Sequence, residues 1–78
     1  PNPFNPSTNI KFQVKSAGVV KIVVLDILGK EVATLVNEKL QPGTYETTFD
    51  ASAYPSGAYL YKIESGAFKD VKRMILIK

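Results

Sequence analysis

The sequence predicts an all-β protein, a small immunoglobulin-like antiparallel β-sandwich of about six to seven strands. Short runs in which apolar and polar residues alternate recur along the chain, and turn signals separate them at intervals of about 8–12 residues. No segment shows the apolar period of a convincing helix. The chain has neither Cys nor Trp, so the likeness to immunoglobulin domains is architectural.

The length allows one domain. A chain of 78 residues buries only about 60–65% of its unfolded surface, which is too little for a second core. We assign residues 1–7 to a proline-rich arm or linker and residues 8–78 to the sandwich. No Met or apolar targeting segment precedes Pro1, and we therefore expect this sequence to be a piece of a longer protein.

The first elements follow from proline placement and alternation. Three prolines in residues 1–6 fix φ and keep the residues before them extended, so no helix forms there. Residues 8–14 then alternate strictly, which places Ile10, Phe12 and Val14 on the buried side of a strand. Residues 15–18 are predicted to be a short hairpin connection to the next strand.

A central hairpin is predicted over residues 19–32, with Gly29 at the positive-φ position of its turn. Its first strand is apolar on both faces. One face carries Val20, Ile22 and Val24, and the other carries Val19, Lys21, Val23 and Leu25. Such a strand belongs in the middle of a sheet. For the second face, burial against the terminal strand is favoured over an exposed recognition surface.

The later elements alternate with turns. Residues 31–36 favour a strand, with a helix of about two turns as the alternative. Residues 37–43 are polar and end in a Gln-Pro-Gly turn signal. Residues 50–57 are expected to carry the chain from one sheet to the other, and Ser65–Gly66 is expected to form a two-residue turn. The remaining strands are predicted at residues 44–49, 58–64 and 68–77, with Tyr45, Thr47 and Phe49 facing inward.

Acidic residues and glycines mark the predicted structural turns, which are Asp26, Gly29, Gly43, Asp50, Gly57 and Gly66. A carboxylate beside a turn usually accepts hydrogen bonds from backbone N–H groups. Asp26 and Asp50 are therefore interpreted as turn-fixing groups rather than catalytic ones.

The composition argues against catalysis. The chain has no Cys, and so neither disulfides nor a thiolate metal site, and it has no His, which removes the commonest general base and metal ligand. The acids form no spaced cluster for a metal, and no glycine-rich phosphate loop is present. We predict no catalytic site, no metal and no cofactor.

Charge and hydropathy exclude two further classes. The formal net charge is +3, but acidic and basic residues are mixed along the chain. Nucleic-acid binding requires basic residues clustered on one side, so no nucleic-acid partner is predicted. No run approaches the ~18 apolar residues of a membrane span.

Two further patterns, the tyrosines and residues 5–9, have a structural and a functional interpretation. Tyr45, Tyr59 and Tyr61 lie at strand alternation, where core or tyrosine-corner roles are favoured over a sugar-stacking platform. Of the four tyrosines, Tyr54 is the one expected to be exposed. Residues 5–9, Asn-Pro-Ser-Thr-Asn, match a sortase signal, but such a signal is followed by a membrane span rather than a folded domain.

Five short segments carry a family resemblance over essentially the whole chain. They are Pro1-Asn2-Pro3-Phe4-Asn5-Pro6 with Ile10 downstream, Val24-Leu25-Asp26-Ile27-Leu28-Gly29-Lys30-Glu31-Val32, Gly43-Thr44-Tyr45 with Phe49-Asp50-Ala51, Ser56-Gly57-Ala58-Tyr59-Leu60-Tyr61, and Lys72-Arg73-Met74-Ile75-Leu76-Ile77-Lys78. In this order and spacing they resemble the type A C-terminal sorting domain of the type IX (Por) secretion system. Leu25 stands where that family often has an aromatic residue.

The resemblance implies a non-catalytic export signal of bacteria of the Bacteroidetes and their relatives. Such domains pass through the periplasm, direct an upstream cargo protein across the outer membrane by way of the secretion machinery, and bring it to the cell surface or the medium. A sortase-like surface protease commonly removes them by cutting upstream of the domain. The sorting residues expected here are Pro1, Asn2, Pro3, Phe4, Lys72, Arg73, Met74, Ile75, Leu76, Ile77 and Lys78.

The main alternative is an immunoglobulin-like accessory module, binding carbohydrate or protein, or a spacer in a secreted multidomain enzyme. A structural assembly role, as in the flagellar hook capping protein with its related sandwiches, is a third. The sequence identifies neither the cargo nor the oligomeric state.

Overall fold

Six antiparallel strands and no helix make up residues 6–78, the part of the chain that the computed structural model describes. The predicted all-β class and strand number are confirmed. The strands are β1 (Ser7–Val14), β2 (Gly18–Asp26), β3 (Glu31–Leu40), β4 (Gly43–Asp50), β5 (Gly57–Ser65) and β6 (Phe68–Leu76).

The strands form two sheets of unequal width. The larger sheet has four strands in the order β3-β2-β5-β6, and the smaller pairs β1 with β4. The larger sheet is built from two hairpins, β2–β3 and β5–β6. The smaller sheet joins strands that are distant in sequence. The two sheets pack face to face, because both core clusters contain side chains from each of them.

The core has two clusters that share the inner face of β2. In one, Val20 and Ile22 pack with Val14 of the smaller sheet. In the other, Val24 packs with Phe49 and with residues of the β4–β5 region. The three β2 side chains, Val20, Ile22 and Val24, are completely buried. The prediction that they share one buried face is confirmed, as are the inward positions of Ile10, Val14 and Phe49.

The outer face of β2 is not covered by the terminal strand. β6 pairs with β5 in the same sheet, so it cannot lie on top of β2, and the expectation of burial against it is wrong. Val19 is 61% exposed, whereas Val23 is 1% exposed. Val23 lies between Thr34 of β3 and Lys62 of β5 in the cross-strand register. These two neighbours share its face of the sheet and flank the Val23 side chain on both sides.

The β2–β3 turn contains a glycine with positive φ and an aspartate that accepts backbone hydrogen bonds, as predicted. Gly29 has a φ of 84°, a region that residues with a Cβ rarely adopt. One carboxylate oxygen of Asp26 accepts hydrogen bonds from the N–H groups of Leu28 at 2.9 Å and Lys30 at 3.0 Å. Gly57 and Gly66 also have positive φ, but Gly43 does not. Gly43 is instead the first residue of β4. A Cβ on Gly43 would lie 3.5 Å from the nearest atom of the Tyr45 ring.

Three predicted connections differ from the structure. Strand β3 continues through residues 37–40, which pair with residues 18–21 of β2; its polar side chains are accommodated because β3 is an edge strand. Residues 15–17 do not close a hairpin, because β1 pairs with β4 and the chain crosses to the other sheet. The last turn is Gly66–Ala67, since Ser65 pairs with Phe68. The strand reading of residues 31–36 is confirmed.

The connection between β4 and β5 crosses between the sheets as predicted, and tyrosines anchor it. The Tyr59 hydroxyl donates to the carbonyl of Pro55 at 2.6 Å, a tyrosine corner at the start of β5. Tyr45 donates in the same way to Gln41 at 2.7 Å. Tyr54 is half-buried against Phe49, and its hydroxyl donates to the Val32 carbonyl at 2.8 Å. The expectation that Tyr54 is exposed is wrong.

We predict that Tyr59→Phe lowers the free energy of unfolding by about 1 kcal/mol, because it removes one hydrogen bond from a buried side chain while preserving ring packing. Urea denaturation measures the effect. Tyr61→Phe is the matched control, since the Tyr61 hydroxyl forms no hydrogen bond with residues 6–78. Equal destabilisation by both changes would contradict a special role for the corner.

Candidate functional site

The expected sorting residues form two groups at the ends of the chain. Pro1, Asn2, Pro3 and Phe4 lie outside the described residues. The second group, residues 72–78, covers the last part of β6 and the two residues after it. β6 pairs only with β5 among the described strands, so it is an edge strand with one free backbone edge.

Side chains of the terminal group divide between the two faces of the sheet, because successive residues of a strand point to opposite sides. Met74 and Leu76 pack against the cluster around Phe49 and Tyr59. Ile75 and Ile77 lie on the opposite side and are 55% and 64% exposed. The group therefore contains residues that hold the fold together and residues that are free to contact a partner.

An exposed stripe follows the outer face of this strand. We call Val71, Arg73, Ile75 and Ile77 the terminal stripe. Val71 is 53% exposed, and Arg73 is also exposed. An exposed row of apolar residues on a regular edge strand is typical of a contact surface. The alternation of residues 71–77 in the sequence is the signal that separates these side chains from Met74 and Leu76, although all of residues 72–78 are expected sorting residues.

The end of the chain is attached to the β4–β5 connection. The Lys78 ammonium donates a hydrogen bond to the Ser52 carbonyl at 2.7 Å, and the Lys78 backbone N–H donates to the Ser56 hydroxyl at 3.2 Å. These contacts fix the direction of residues 77–78 beyond the last strand pair. Sequence reasoning gave no signal for them, because they join residues more than twenty positions apart.

The N-terminal segment reaches the same region. The Ala51 backbone N–H donates to the Pro6 carbonyl at 2.9 Å. A cleft of about 300 Å³ lies between residues 6–8 and residues 74–77, with Phe49 and Tyr59 among its lining. The structure thus brings Pro6 and the terminal strand to one place.

Asp50 stabilises the loop to which both ends attach. Its carboxylate accepts a hydrogen bond from the Ser52 backbone N–H at 3.0 Å. Hydrogen bonds from the Ser52 backbone and side chain, together with the nearby Lys78 charge, lower the pKa of Asp50 below its usual 3.8, although desolvation opposes them. The turn role predicted for Asp50 agrees with this geometry.

Residues 6–78 contain neither a candidate metal site nor a candidate membrane-spanning helix. No group of three or more His, Cys, Asp or Glu side chains there is placed to hold a metal ion. No helix in the same range is long and apolar enough to cross a membrane. The tyrosine rings do not form an exposed row, since Tyr59 is buried and Tyr45, Tyr54 and Tyr61 pack against the core.

The comparison with family models settles which group of domains this is. The model described as secretion system C-terminal sorting domain matches residues 1–78. The chain belongs to this family. The sorting domain is of the type IX system, and domains of the family are generally non-catalytic. Searches of curated proteins and of solved structures gave no match.

Membership gives the domain as a whole a functional setting. A type IX sorting domain implies export toward the cell surface or the extracellular space, and recognition by the secretion machinery. On β6, Met74 and Leu76 pack against the core, while Ile75 beside them is exposed.

We predict that Met74→Ala lowers the free energy of unfolding by about 1–2 kcal/mol, less than for a fully buried methionine, because the side chain is half-buried. Ile75→Ala, one residue away and exposed, is expected to stay within about 0.5 kcal/mol of wild type. Urea denaturation of both variants tests whether the inner face of β6 stabilises the fold and the outer face does not. A larger loss for Ile75→Ala would show that the outer face is also structural.

We predict that Asp50→Asn reduces the acid sensitivity of the domain. A carboxyl with a lowered pKa stabilises the fold above its unfolded pKa, and that contribution is lost as the pH falls through the folded pKa. The wild type should therefore lose more stability than the variant in the acid range below 3.8. Thermal unfolding followed by circular dichroism across this range measures the difference, and parallel profiles would contradict it.

Proposed function

We propose that the domain is the C-terminal label that directs a cargo protein across the outer membrane by type IX secretion. The observation that carries this proposal is the family match over residues 1–78. The domain crosses the periplasm with its upstream cargo, engages the outer-membrane machinery, and delivers the cargo to the cell surface or the medium. A sortase-like surface protease then removes the domain by cutting upstream of it. The domain itself performs no catalysis.

The terminal stripe is the part that we assign to recognition, together with the proline arm at residues 1–6. Ile75 and Ile77 are more than half exposed, so a partner gains apolar contact without opening the core. Arg73 lies between apolar neighbours, and exposed arginine with apolar residues is common at the centres of protein interfaces. The free edge of β6 adds backbone groups that a partner strand can pair with.

The rival function, an accessory module that binds carbohydrate, requires an exposed aromatic surface. Tyr45, Tyr54 and Tyr59 use their hydroxyls in hydrogen bonds to backbone carbonyls. Their rings pack inward, which gives a sugar no row of accessible faces among the described residues. No observation in the structure favours this alternative over the export label.

The export test uses a fusion. A reporter with an N-terminal signal peptide is followed by these 78 residues and expressed in a bacterium with type IX secretion. We predict that the reporter reaches the cell surface or the medium, whereas the same reporter without the domain stays in the periplasm. Periplasmic retention of both fusions would overturn the proposal.

The assignment of the terminal stripe is tested in the same fusion. Ile75→Ser with Ile77→Ser is expected to reduce export by about tenfold or more, as for a central interface contact. Leu28→Ser is the matched control, because Leu28 is 88% exposed and lies in the β2–β3 turn. Normal export of the double variant would place recognition elsewhere, and urea denaturation of each variant confirms that the fold is intact.

A further inference from the structure

The sandwich is closed on one side and open on the other. On the closed side, the short turn at residues 41–42 joins β3 of the larger sheet to β4 of the smaller. On the open side, β1 has no partner strand beyond β4 in the described part of the chain. A groove of about 630 Å³ lies there, between β1 and the β5–β6 hairpin.

The floor of the groove is the inner face of the larger sheet. The cross-strand register places Phe68, Asp70 and Lys72 opposite Ser65, Ile63 and Tyr61, so all six share that face. Farther along β6 the same face is covered, because Met74 and Leu76 pack in the core. Phe68, by contrast, is 58% exposed. The smaller sheet is too narrow to cover this part of the larger one.

The wall of the groove is a free strand edge. Ile10 and Phe12 of β1 line the groove beside Ile63 and Phe68. Along an edge strand, alternate residues present unpaired N–H and C=O groups to the side. A strand added there would pair with β1 and lie about 4.7–4.9 Å from it. It would widen the smaller sheet to three strands and cover the exposed apolar floor.

Charge indicates what kind of strand fits. Lys11 and Lys15, on β1 and just after it, line the groove, whereas Lys72 lies on its floor with the single carboxylate, Asp70. None of these lysines forms an ion pair with another residue in the range 6–78. A second copy of this chain is a poor occupant, because its net charge is +3 and its own free β1 edge carries Lys11. An acidic occupant would be attracted instead.

We propose that the groove binds an acidic peptide segment in extended conformation, which adds to the edge of β1 as a third strand. Apolar side chains at alternate positions cover Ile63 and Phe68. The acidic side chains between them point to the outer side, where Lys11 lies, because neighbouring residues on β1 and the added strand share faces. This interaction does not depend on the sorting role or on the terminal stripe.

The test uses the 78-residue chain and a synthetic peptide. The probe is an eight-residue peptide, the length of β1, that alternates valine and glutamate. We expect saturable binding with a dissociation constant below about 1 mM, weakening as salt is raised. Amide NMR shifts should change along β1 and the β5–β6 hairpin and remain unchanged along β3. No saturable binding, or shift changes centred elsewhere, would overturn the proposal.

Matched peptides separate backbone pairing from charge. A peptide that alternates valine and lysine should bind at least about tenfold more weakly, because its charge is repelled by the lysines. Two further probes carry N-methyl groups on the odd or on the even residues of the acidic peptide. Only one set of amides can face β1, so one of these probes should lose binding. Undiminished binding of the lysine peptide, or of both methylated probes, would contradict an acidic added strand.

Matched variants locate the site. Lys11→Glu should weaken binding about threefold or more, since an exposed attraction becomes a repulsion. Lys39→Glu makes the same charge change on the distant strand β3, where the side chain is exposed, and should have little effect. Phe68→Ser should also weaken binding, whereas Leu28→Ser, far from the groove, should not. Equal losses of peptide affinity in each test variant and its control would overturn the assignment. A dimer that forms with rising protein concentration and is displaced by the peptide would also overturn it, because the occupant would then be a second copy of the chain.

Discussion

Burial of the inner face of β2 is the constraint on which the rest of the structure depends. Val20, Ile22 and Val24 are completely buried, and each core cluster is built on one or two of them. A chain this short has little other apolar surface to bury. The smaller sheet must therefore pack over the inner face of β2, and β2 must lie inside the larger sheet, between β3 and β5.

This central position distributes the remaining strands unevenly. The hairpins β2–β3 and β5–β6 supply all four strands of the larger sheet, which leaves only β1 and β4 to cover it. Two strands cannot cover four, so the inner face of β6 is buried at Met74 and Leu76 but open near Phe68. The groove is thus a direct result of how few residues are available for the smaller sheet.

Because so few residues are available, the last strand, β6, has both a structural face and an exposed face. Its inner residues complete the core, and its outer residues belong to the terminal stripe. A partner that binds the stripe therefore contacts a surface that exists only in the folded domain. The β4–β5 connection supports this arrangement, because Pro6 and Lys78 both hydrogen-bond to it. Pro6 and Lys78 are consequently held by the same loop, which is itself anchored by Tyr54 and Tyr59.

The sequence by itself determined the strand class, the buried face of β2, the Gly29 turn and the family, because alternation, positive φ and short motifs are properties of neighbouring residues. The tertiary structure alone decided that β1 pairs with β4, that residues 37–40 continue β3, and that Tyr54 is half-buried. It also separated Met74 and Leu76, which pack in the core, from Ile75 and Ile77, which remain exposed. Each of these depends on which distant strand lies alongside, and the partner of a strand is set by long-range packing rather than by its own residues.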